Sequence, residues 1–147
     1  MRDSQPRILI VDDDVAIANS LATMIGSVGR YETRIVHLAA EALAAAAEHA
    51  PEIVFLDIEL PDMSGYEVAK LLHQHANLGA TRLIALTDSI EHPGREDARA
   101  AGFERYLVKP VTLVELQKVL RRIVNVRAGT GEVSQGDPRK HIYRGLP

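Results

Sequence analysis

A run of four apolar residues, 53–56, ends at the carboxylate of Asp57 and limits the possible folds more than any other stretch. No polar residue alternates within the run, so it predicts a strand buried on both faces, as in a parallel sheet covered by helices. Pro61 then ends the extended stretch, because its ring fixes φ and it lacks an N–H donor. Ser64 and Glu67, three positions apart, predict the capping box of a following helix. Asp57 is therefore expected at the carboxyl edge of a central strand, where open α/β sheets bind ligands.

The rest of the chain repeats this unit of strand and helix. Strands are predicted at residues 8–11, 33–37, 53–56, 82–86 and 106–108. A helix is predicted after each of them: one ending at Gly29, then 39–50, 65–75, about Arg95 to before Gly102, and about 112–126. Strands that alternate with helices through short loops predict an α/β fold, with a five-stranded, doubly wound parallel sheet and five helices.

Composition narrows the class of protein. The chain has 147 residues, 46% of them hydrophobic and 25% charged, which suits one globular domain over residues 6–126. From about Arg127 the periodicity is lost, and residues 127–147 are expected to form a disordered or loosely docked tail. A net charge of −3 argues against direct nucleic-acid binding, and the absence of cysteine excludes thiol chemistry. No run approaches the roughly 20 apolar residues of a membrane span, so we expect a cytoplasmic protein without membrane contact.

Polar side chains follow four of the five predicted strands. Asp12 and Asp13 follow the first strand, Asp57 the third, Thr87 the fourth and Lys109 the fifth. Right-handed crossovers place the carboxyl ends of parallel strands on one side of a sheet. We therefore expect three carboxylates, a hydroxyl and an amine to meet in one cleft. The six histidines show no such pattern and are expected to have surface roles.

This set of groups suits phosphoryl transfer. Clustered carboxylates favour a hard divalent cation such as Mg²⁺, and a carboxylate can act as a covalent nucleophile toward phosphorus. An amine and a hydroxyl can position the phosphoryl oxygens and neutralise their charge. Taken singly, Asp57 would be a solvated loop residue, Thr87 a turn residue and Lys109 a solvated charge. The joint pattern instead favours an aspartyl-phosphate site with Asp57 as the acceptor.

These motifs together resemble the receiver domain of bacterial two-component response regulators. The matching stretches are residues 8–14, 56–65, 86–87 and 106–110, within a resemblance that covers about residues 6–125. The resemblance implies a flavodoxin-like fold with strand order 2-1-3-4-5 and a cis peptide bond between Lys109 and Pro110. The region from 86 to 111 is also similar to receivers attached to hybrid histidine kinases.

The resemblance implies a metal site and a phosphate donor. Asp57 would take a phosphoryl group from a phosphohistidine on a sensor histidine kinase or a histidine phosphotransfer protein, as in a phosphorelay. Asp13 and Asp57 would bind Mg²⁺ (or Mn²⁺) together with the backbone carbonyl of Glu59. Asp12 would act mainly through a metal-bound water.

The resemblance also implies a switch. Thr87 and Lys109 would hold the phosphoryl oxygens, and Tyr106 would turn inward when Thr87 moves toward the phosphate. The surface formed by the fourth helix, fifth strand and fifth helix would then bind a downstream protein target. About 20 residues follow the last predicted helix, so a stand-alone receiver is expected, as a monomer or weak dimer.

Three residues are expected to tune the rates of the reaction. Asp88 stands where the family usually has a small residue, and its carboxylate is expected to slow phosphorylation or to change the lifetime of the phosphoryl group. Glu59 and Ser89 flank the route of the hydrolytic water and are expected to tune autodephosphorylation. The protein would not be an enzyme, but a signalling domain that takes part in its own phosphorylation and dephosphorylation.

Three alternatives stay open from the sequence. A receiver-like interaction module that works without phosphorylation is favoured only by Asp88. A phosphatase of the haloacid dehalogenase type would need an aspartate where Glu59 stands, and a cap insertion. An FMN-binding flavodoxin would need a loop of Ser, Thr and Gly for its phosphate, where this chain has the acidic residues 12–14.

Overall fold

The computed structural model describes residues 5–75, 78–88 and 99–128. Its strands are β1 (Arg7–Val11), β2 (Glu32–Val36), β3 (Ile53–Asp57), β4 (Arg82–Thr87) and β5 (Phe103–Val108). Its helices are α1 (Val15–Val28), α2 (Ala39–His49), α3 (Gly65–Gln74), α4, whose described end is residues 99–101, and α5 (Leu113–Ala128). The predicted start of α4 near Arg95 lies outside the described residues. Of the predicted tail, 127–147, residues 127 and 128 are the end of α5 and the rest lies outside the described residues.

All five strands form one parallel sheet in the order β2-β1-β3-β4-β5, which confirms the predicted fold class. The register aligns the carboxyl ends of the strands. Val11 pairs with Leu56, and Asp57 pairs with Leu86. Thr87 pairs with Val108. The residues that follow these strands therefore leave the sheet along the same edge.

Alternating strand residues build two apolar layers, one on each face of the sheet. One layer packs against α2 and α3 and includes Leu9, Val54, Leu56, Val68 and Leu72. The other packs against α1 and α5 and includes Ile10, Phe55, Leu21, Ile25 and Leu116. Both faces of the central strands are buried, as the continuous apolar runs predict.

β5 begins at Phe103, three residues before the predicted start at Tyr106. The pairing of β4 with β5 shifts between Leu83 and Ile84, so that Glu104 is an extra residue in the ladder. This irregularity lets Phe103 and Tyr106 enter the same apolar layer although they are an odd number of residues apart. The bulge breaks the period-two pattern, and the sequence therefore predicts too short a strand.

The ends of several helices follow local sequence signals. Thr112 and Glu115 form the predicted capping box, because each side chain accepts the backbone N–H of the other, at 3.1 and 3.2 Å. Ser64 caps α3 by accepting the N–H of Tyr66 at 3.1 Å. Gly102 ends α4 with a φ of 100°, a conformation that favours glycine. Among the described residues, no helix has the length and apolar content needed to cross a bilayer.

Candidate functional site

The structure brings the predicted acidic residues together at the carboxyl edge of the sheet. Asp12 follows β1 and is fully buried, Asp57 is the last residue of β3 and is 4% exposed, and Asp13 faces solvent. One oxygen from each of the three carboxylates can be chosen so that all lie within 4.8 Å of one another. Three carboxylates this close favour a bound cation, because repulsion otherwise opposes their ionisation.

The side chain of Lys109 places a positive charge beside this cluster. Its Nζ lies 2.8 Å from Oδ2 of Asp12 and 3.2 Å from Oδ2 of Asp57. The backbone positions this lysine, because its N–H donates to the carbonyl of Thr87 at 2.7 Å. The Lys109–Pro110 bond that follows is cis, as the resemblance implies.

Burial dominates the electrostatics of Asp57. Desolvation raises the pKa of this carboxyl to about 7, although the N–H of Glu59 and the charge of Lys109 both favour the ionised form, while Asp12 opposes it. Burial alone would lower the pKa of Lys109, but its contacts with Asp12 and Asp57 outweigh burial and raise that pKa. The lysine is therefore a firm cation, whereas Asp57 needs additional positive charge to be fully ionised at neutral pH.

Thr87 and Tyr106 form a polar link beside the acidic cluster. Thr87 ends β4 fully buried, and Tyr106 is 5% exposed. The Tyr106 hydroxyl hydrogen-bonds with the side chains of Thr87 and Tyr66, while burial raises the pKa of Tyr106. Tyr106 thus already lies inward in this structure, in contact with Thr87.

The loop between β3 and α3 is folded tightly against Asp57. The N–H of Glu59 donates to Oδ1 of Asp57 at 2.9 Å, and Glu59 also forms an isolated antiparallel bridge with Ser64. The N–H of Gly65 returns to the carbonyl of Ile58 at 3.0 Å. A Cβ at Gly65 would lie 2.5 Å from the Asp57 carbonyl oxygen, so the loop can close only over a glycine.

Two further predicted site residues, Asp88 and Ser89, follow β4 in the sequence. Asp88 follows β4 and faces solvent. Ser89 lies outside the described residues.

Two contacts of the site could not be predicted from the sequence. The Nδ1–H of His37 donates to the carbonyl of Asp12 at 2.9 Å, and His37 is partly buried, so this histidine contacts the backbone of the site. The carboxylate of Asp62 accepts the N–H groups of Ala39 and Ala40, both at 3.0 Å. These partners are 23 and 22 residues away from Asp62, and a local pattern carries no signal for such a pair.

The donor set fits a hard divalent cation. Carboxylate oxygens clustered at a partly open edge are the ligands that Mg²⁺ prefers, with water completing its octahedral shell. Asp13 faces solvent, whereas Asp12 and Asp57 are buried, so an ion bound here would contact both protein and water. The thiolate and imidazole ligands that favour zinc are absent from the cluster.

Comparison with known proteins agrees with this geometry. The family model described as response regulator receiver domain matches residues 8–121. The transcriptional regulatory protein KdpE of Mycobacterium tuberculosis is 34% identical over 128 residues, which are 87% of this chain and 55% of KdpE. The DNA-binding response regulator MtrA of Mycobacterium bovis is 32% identical over 117 residues, 79% of this chain and 49% of MtrA. The chain thus spans about half the length of these relatives.

Solved structures give the same result. The chemotaxis response regulator CheY4 of Vibrio cholerae superposes with a TM-score of 0.74 at 27% identity, covering 82% of this chain and 99% of CheY4. The receiver domain of the sensor histidine kinase PA1611 of Pseudomonas aeruginosa, described with a magnesium ion coordinated in its active site cleft, superposes with a TM-score of 0.73 at 28% identity. It covers 81% of this chain and 97% of that domain. The chain belongs to the response regulator receiver domain family of two-component signalling proteins.

Proposed function

We propose that this protein is a phosphorylation-controlled signalling switch in which Asp57 accepts a phosphoryl group from a phosphohistidine. The observation that carries the proposal is the contact of one ammonium group, Lys109, with the carboxylates of both Asp12 and Asp57, beside the exposed carboxylate of Asp13. A purely structural ion pair would not need a third carboxylate at an open edge. Membership of the receiver family supports the same function.

In the proposed reaction, an oxygen of ionised Asp57 attacks the phosphorus atom of the phosphohistidine. The P–O bond to Asp57 forms as the P–N bond breaks, and the imidazole leaves with the bonding electron pair. The phosphorylated carboxyl no longer carries the charge that Lys109 neutralises, so Lys109 can pair with a phosphoryl oxygen instead. Thr87, buried at the end of β4, is proposed to donate its hydroxyl to another phosphoryl oxygen.

The acidic cluster is proposed to hold Mg²⁺ or Mn²⁺ through Asp13, Asp57 and the backbone carbonyl of Glu59, with Asp12 acting mainly through a metal-bound water. When bound, the ion neutralises charge on the carboxylates and on the incoming phosphoryl group. Asp57 has the greatest need for this charge, because burial raises its pKa to about 7. The carboxylates themselves exclude a phosphate dianion from the bare site by repulsion.

The Thr87–Tyr106 link is the proposed route from the site to the surface. Recruiting the Thr87 hydroxyl to a phosphoryl oxygen would remove its hydrogen bond with Tyr106. The side chain of Tyr106 would then repack, and with it the surface of α4, β5 and α5, which we propose as the docking face for a downstream protein. We expect Tyr106→Phe to change the phosphorylation dependence of target binding while phosphorylation itself proceeds.

The proposed partners are a sensor histidine kinase or a histidine phosphotransfer protein, and a downstream target. The expectation that the chain does not contact nucleic acid stays a prediction, because MtrA is a DNA-binding response regulator and this chain spans 49% of its length. The same holds for the expectation of a monomer or weak dimer.

The decisive experiment is incubation with acetyl phosphate, with and without Mg²⁺, followed by intact-mass measurement. We expect a gain of one phosphoryl mass that needs Mg²⁺ and is lost in Asp57→Asn. Asp14→Asn is a suitable control, because it removes a neighbouring carboxylate that is not a proposed ligand or acceptor. The side chain of Asp14 caps α1 by accepting the N–H of Ile17 at 3.1 Å. A missing adduct, under conditions that modify another receiver, would contradict the proposal and favour an interaction module that works without phosphorylation.

Asp88 is proposed to lower the rate of phosphorylation through its negative charge, since it follows β4 beside Thr87 and faces solvent. Asp88→Ala is expected to react faster with acetyl phosphate, or to hold the phosphoryl group for a different time. Glu59 and Ser89 are proposed to tune hydrolysis and can be tested in the same assay. If Asp88→Ala leaves both rates unchanged, the role proposed for Asp88 is wrong.

A further inference from the structure

We infer that Asp62 is a positioning residue that ties the start of α2 to the loop between β3 and α3, and thereby sets the affinity of the acidic cluster for Mg²⁺. The inference rests on the proposed function, because it concerns the loop that carries the Glu59 carbonyl. It adds α2, which contributes no ligand, to the machinery of the site.

The start of α2 has no cap of its own. Leu38 occupies the N-cap position and provides no side-chain hydrogen bond, whereas polar residues usually accept a first-turn N–H there. The two oxygens of Asp62 take over this role, one for Ala39 and one for Ala40. These backbone hydrogen bonds hold the pKa of Asp62 below its ordinary value, so the carboxylate is ionised at the helix N-terminus.

Asp62 lies in the middle of the loop whose ends are already fastened. The Glu59–Ser64 bridge closes the loop, and the N–H of Glu59 binds Asp57. Asp62 ties this closed loop to a helix by hydrogen bonds, in addition to the packing of Leu60 and Met63 against the apolar layer. The loop carries the carbonyl proposed as a metal ligand. Without the hydrogen bonds of Asp62, part of the free energy of Mg²⁺ binding would be used to order the loop, and the affinity for Mg²⁺ would fall.

The start of α2 also contacts the other side of the acidic cluster. His37, just before the helix, donates from Nδ1–H to the carbonyl of Asp12, and its own N–H donates to Glu41 of the first turn at 3.1 Å. The amino end of α2 therefore reaches both segments that provide the carboxylates, through His37 to Asp12 and through Asp62 to the loop after Asp57. By linkage, Mg²⁺ binding should in turn stabilise the start of α2.

The test is a Mg²⁺ titration of Asp62→Asn by ¹H–¹⁵N NMR, following the amide shifts of the cluster. Glu48→Gln is the matched control, because it also removes one negative charge from α2, while the contact described for Glu48 is an exposed ion pair with Arg34 at 2.7 Å. We expect the Kd for Mg²⁺ to rise about 3- to 10-fold in Asp62→Asn and less than about 2-fold in Glu48→Gln. Saturating Mg²⁺ should return the phosphorylation rate of Asp62→Asn to that of the unmodified protein.

A third variant separates the tie from simple helix capping. Adding Leu38→Ser to Asp62→Asn gives α2 a local cap without restoring contact with the loop. We expect this double variant to regain thermal stability while its Mg²⁺ affinity stays low. If the affinity recovers with the stability, Asp62 acts only as a cap and the inference is wrong.

Other outcomes are equally decisive. Equal losses of affinity in Asp62→Asn and Glu48→Gln would indicate a general charge effect and overturn the inference, as would unchanged affinity in Asp62→Asn. If the affinities shift as expected but the unmodified protein takes no phosphoryl group, the proposed function fails and the role of Asp62 stands. If the unmodified protein does not bind Mg²⁺, both are overturned.

Discussion

At the residue scale, Asp57 is a buried carboxyl group that needs nearby positive charge to be ionised. Its carboxylate is 4% exposed, and Lys109 divides its single positive charge between Asp57 and Asp12. Burial raises the pKa of Asp57 to about 7, and the shared charge of Lys109 lowers it too little to offset burial. Burying this carboxyl group therefore lowers the stability of the folded protein at a pH where the unfolded chain is ionised.

The loss of stability caused by burying the Asp57 carboxyl predicts that replacing it with a neutral side chain stabilises the protein. The pKa of folded Asp57 is about 7, above the ordinary value of 3.8, so the folded state binds the proton more tightly and stability falls as pH rises between these values. In Mg²⁺-free buffer at pH 8, Asp57→Asn should raise the free energy of unfolding by about 1–3 kcal/mol. Urea unfolding at several pH values tests this. The difference should shrink toward pH 4, and a difference that is independent of pH would contradict the explanation.

Asp62 has the opposite pH dependence. Its folded-state pKa is lowered by the N–H groups of Ala39 and Ala40, so its contribution to stability is present above the unfolded pKa and is lost as pH falls through the folded value. Asp62→Asn should therefore melt below the unmodified protein at neutral pH, and the two melting temperatures should converge in acid. Melting curves that keep a constant separation down to pH 3 would show that ionisation of Asp62 is irrelevant.

At the scale of elements, the loop between β3 and α3 depends on its glycine. Gly65 begins α3 directly beneath the carboxyl end of β3, where a Cβ would lie 2.5 Å from backbone atoms of both Asp57 and Ile58. Backbone atoms at the end of a central strand cannot move aside as a flexible side chain can. The close approach brings the start of α3 against the backbone of Asp57.

Gly65→Ala should therefore lower the free energy of unfolding by about 1–3 kcal/mol and weaken Mg²⁺ binding by displacing Glu59. Gly26→Ala is the matched control, because Gly26 lies within α1 with nothing within 4 Å of the position of its Cβ. That substitution should instead stabilise the protein by about 0.5–1 kcal/mol, since alanine favours the helix. Chemical unfolding of both variants checks the opposite signs, and equal effects would refute the steric explanation.

At the scale of the whole molecule, one sheet lies between two apolar layers, and each strand contributes side chains to both layers. Successive residues of β1 enter opposite layers, Leu9 facing α2 and α3, and Ile10 facing α1 and α5. A cavity in either layer therefore removes packing contacts from β1, the strand that Asp12 follows. The two layers should therefore unfold as one unit.

Leu9→Ala and Ile10→Ala test this unity. Both side chains are fully buried, so each substitution should lower the free energy of unfolding by about 2–5 kcal/mol. Far-ultraviolet circular dichroism and NMR signals from both layers should report a single transition in each variant. Separate transitions for the two layers would show that the sheet does not couple them.

Local patterns predict much of this molecule for a physical reason. An apolar run or an amphipathic period depends on neighbours in the chain, so β1, β3 and β4 are predicted within one residue at each end. A bulge depends on the partner strand, and β5 is therefore predicted three residues too short. The acidic cluster is predictable because the residues at the carboxyl ends of parallel strands all lie at one edge of the sheet, however the helices pack.

The amino-acid sequence alone determines which chemical groups meet at the site, because each of them ends or directly follows a strand that local residues specify: Asp12, Asp13, Asp57, Thr87 and Lys109. Only the tertiary structure decides how those groups behave. Burial raises the pKa of Asp57, Lys109 is shared between two carboxylates, and Asp62 holds a helix that begins 23 residues before it. These properties arise between residues far apart in the chain, where desolvation and hydrogen bonding depend on the assembled fold.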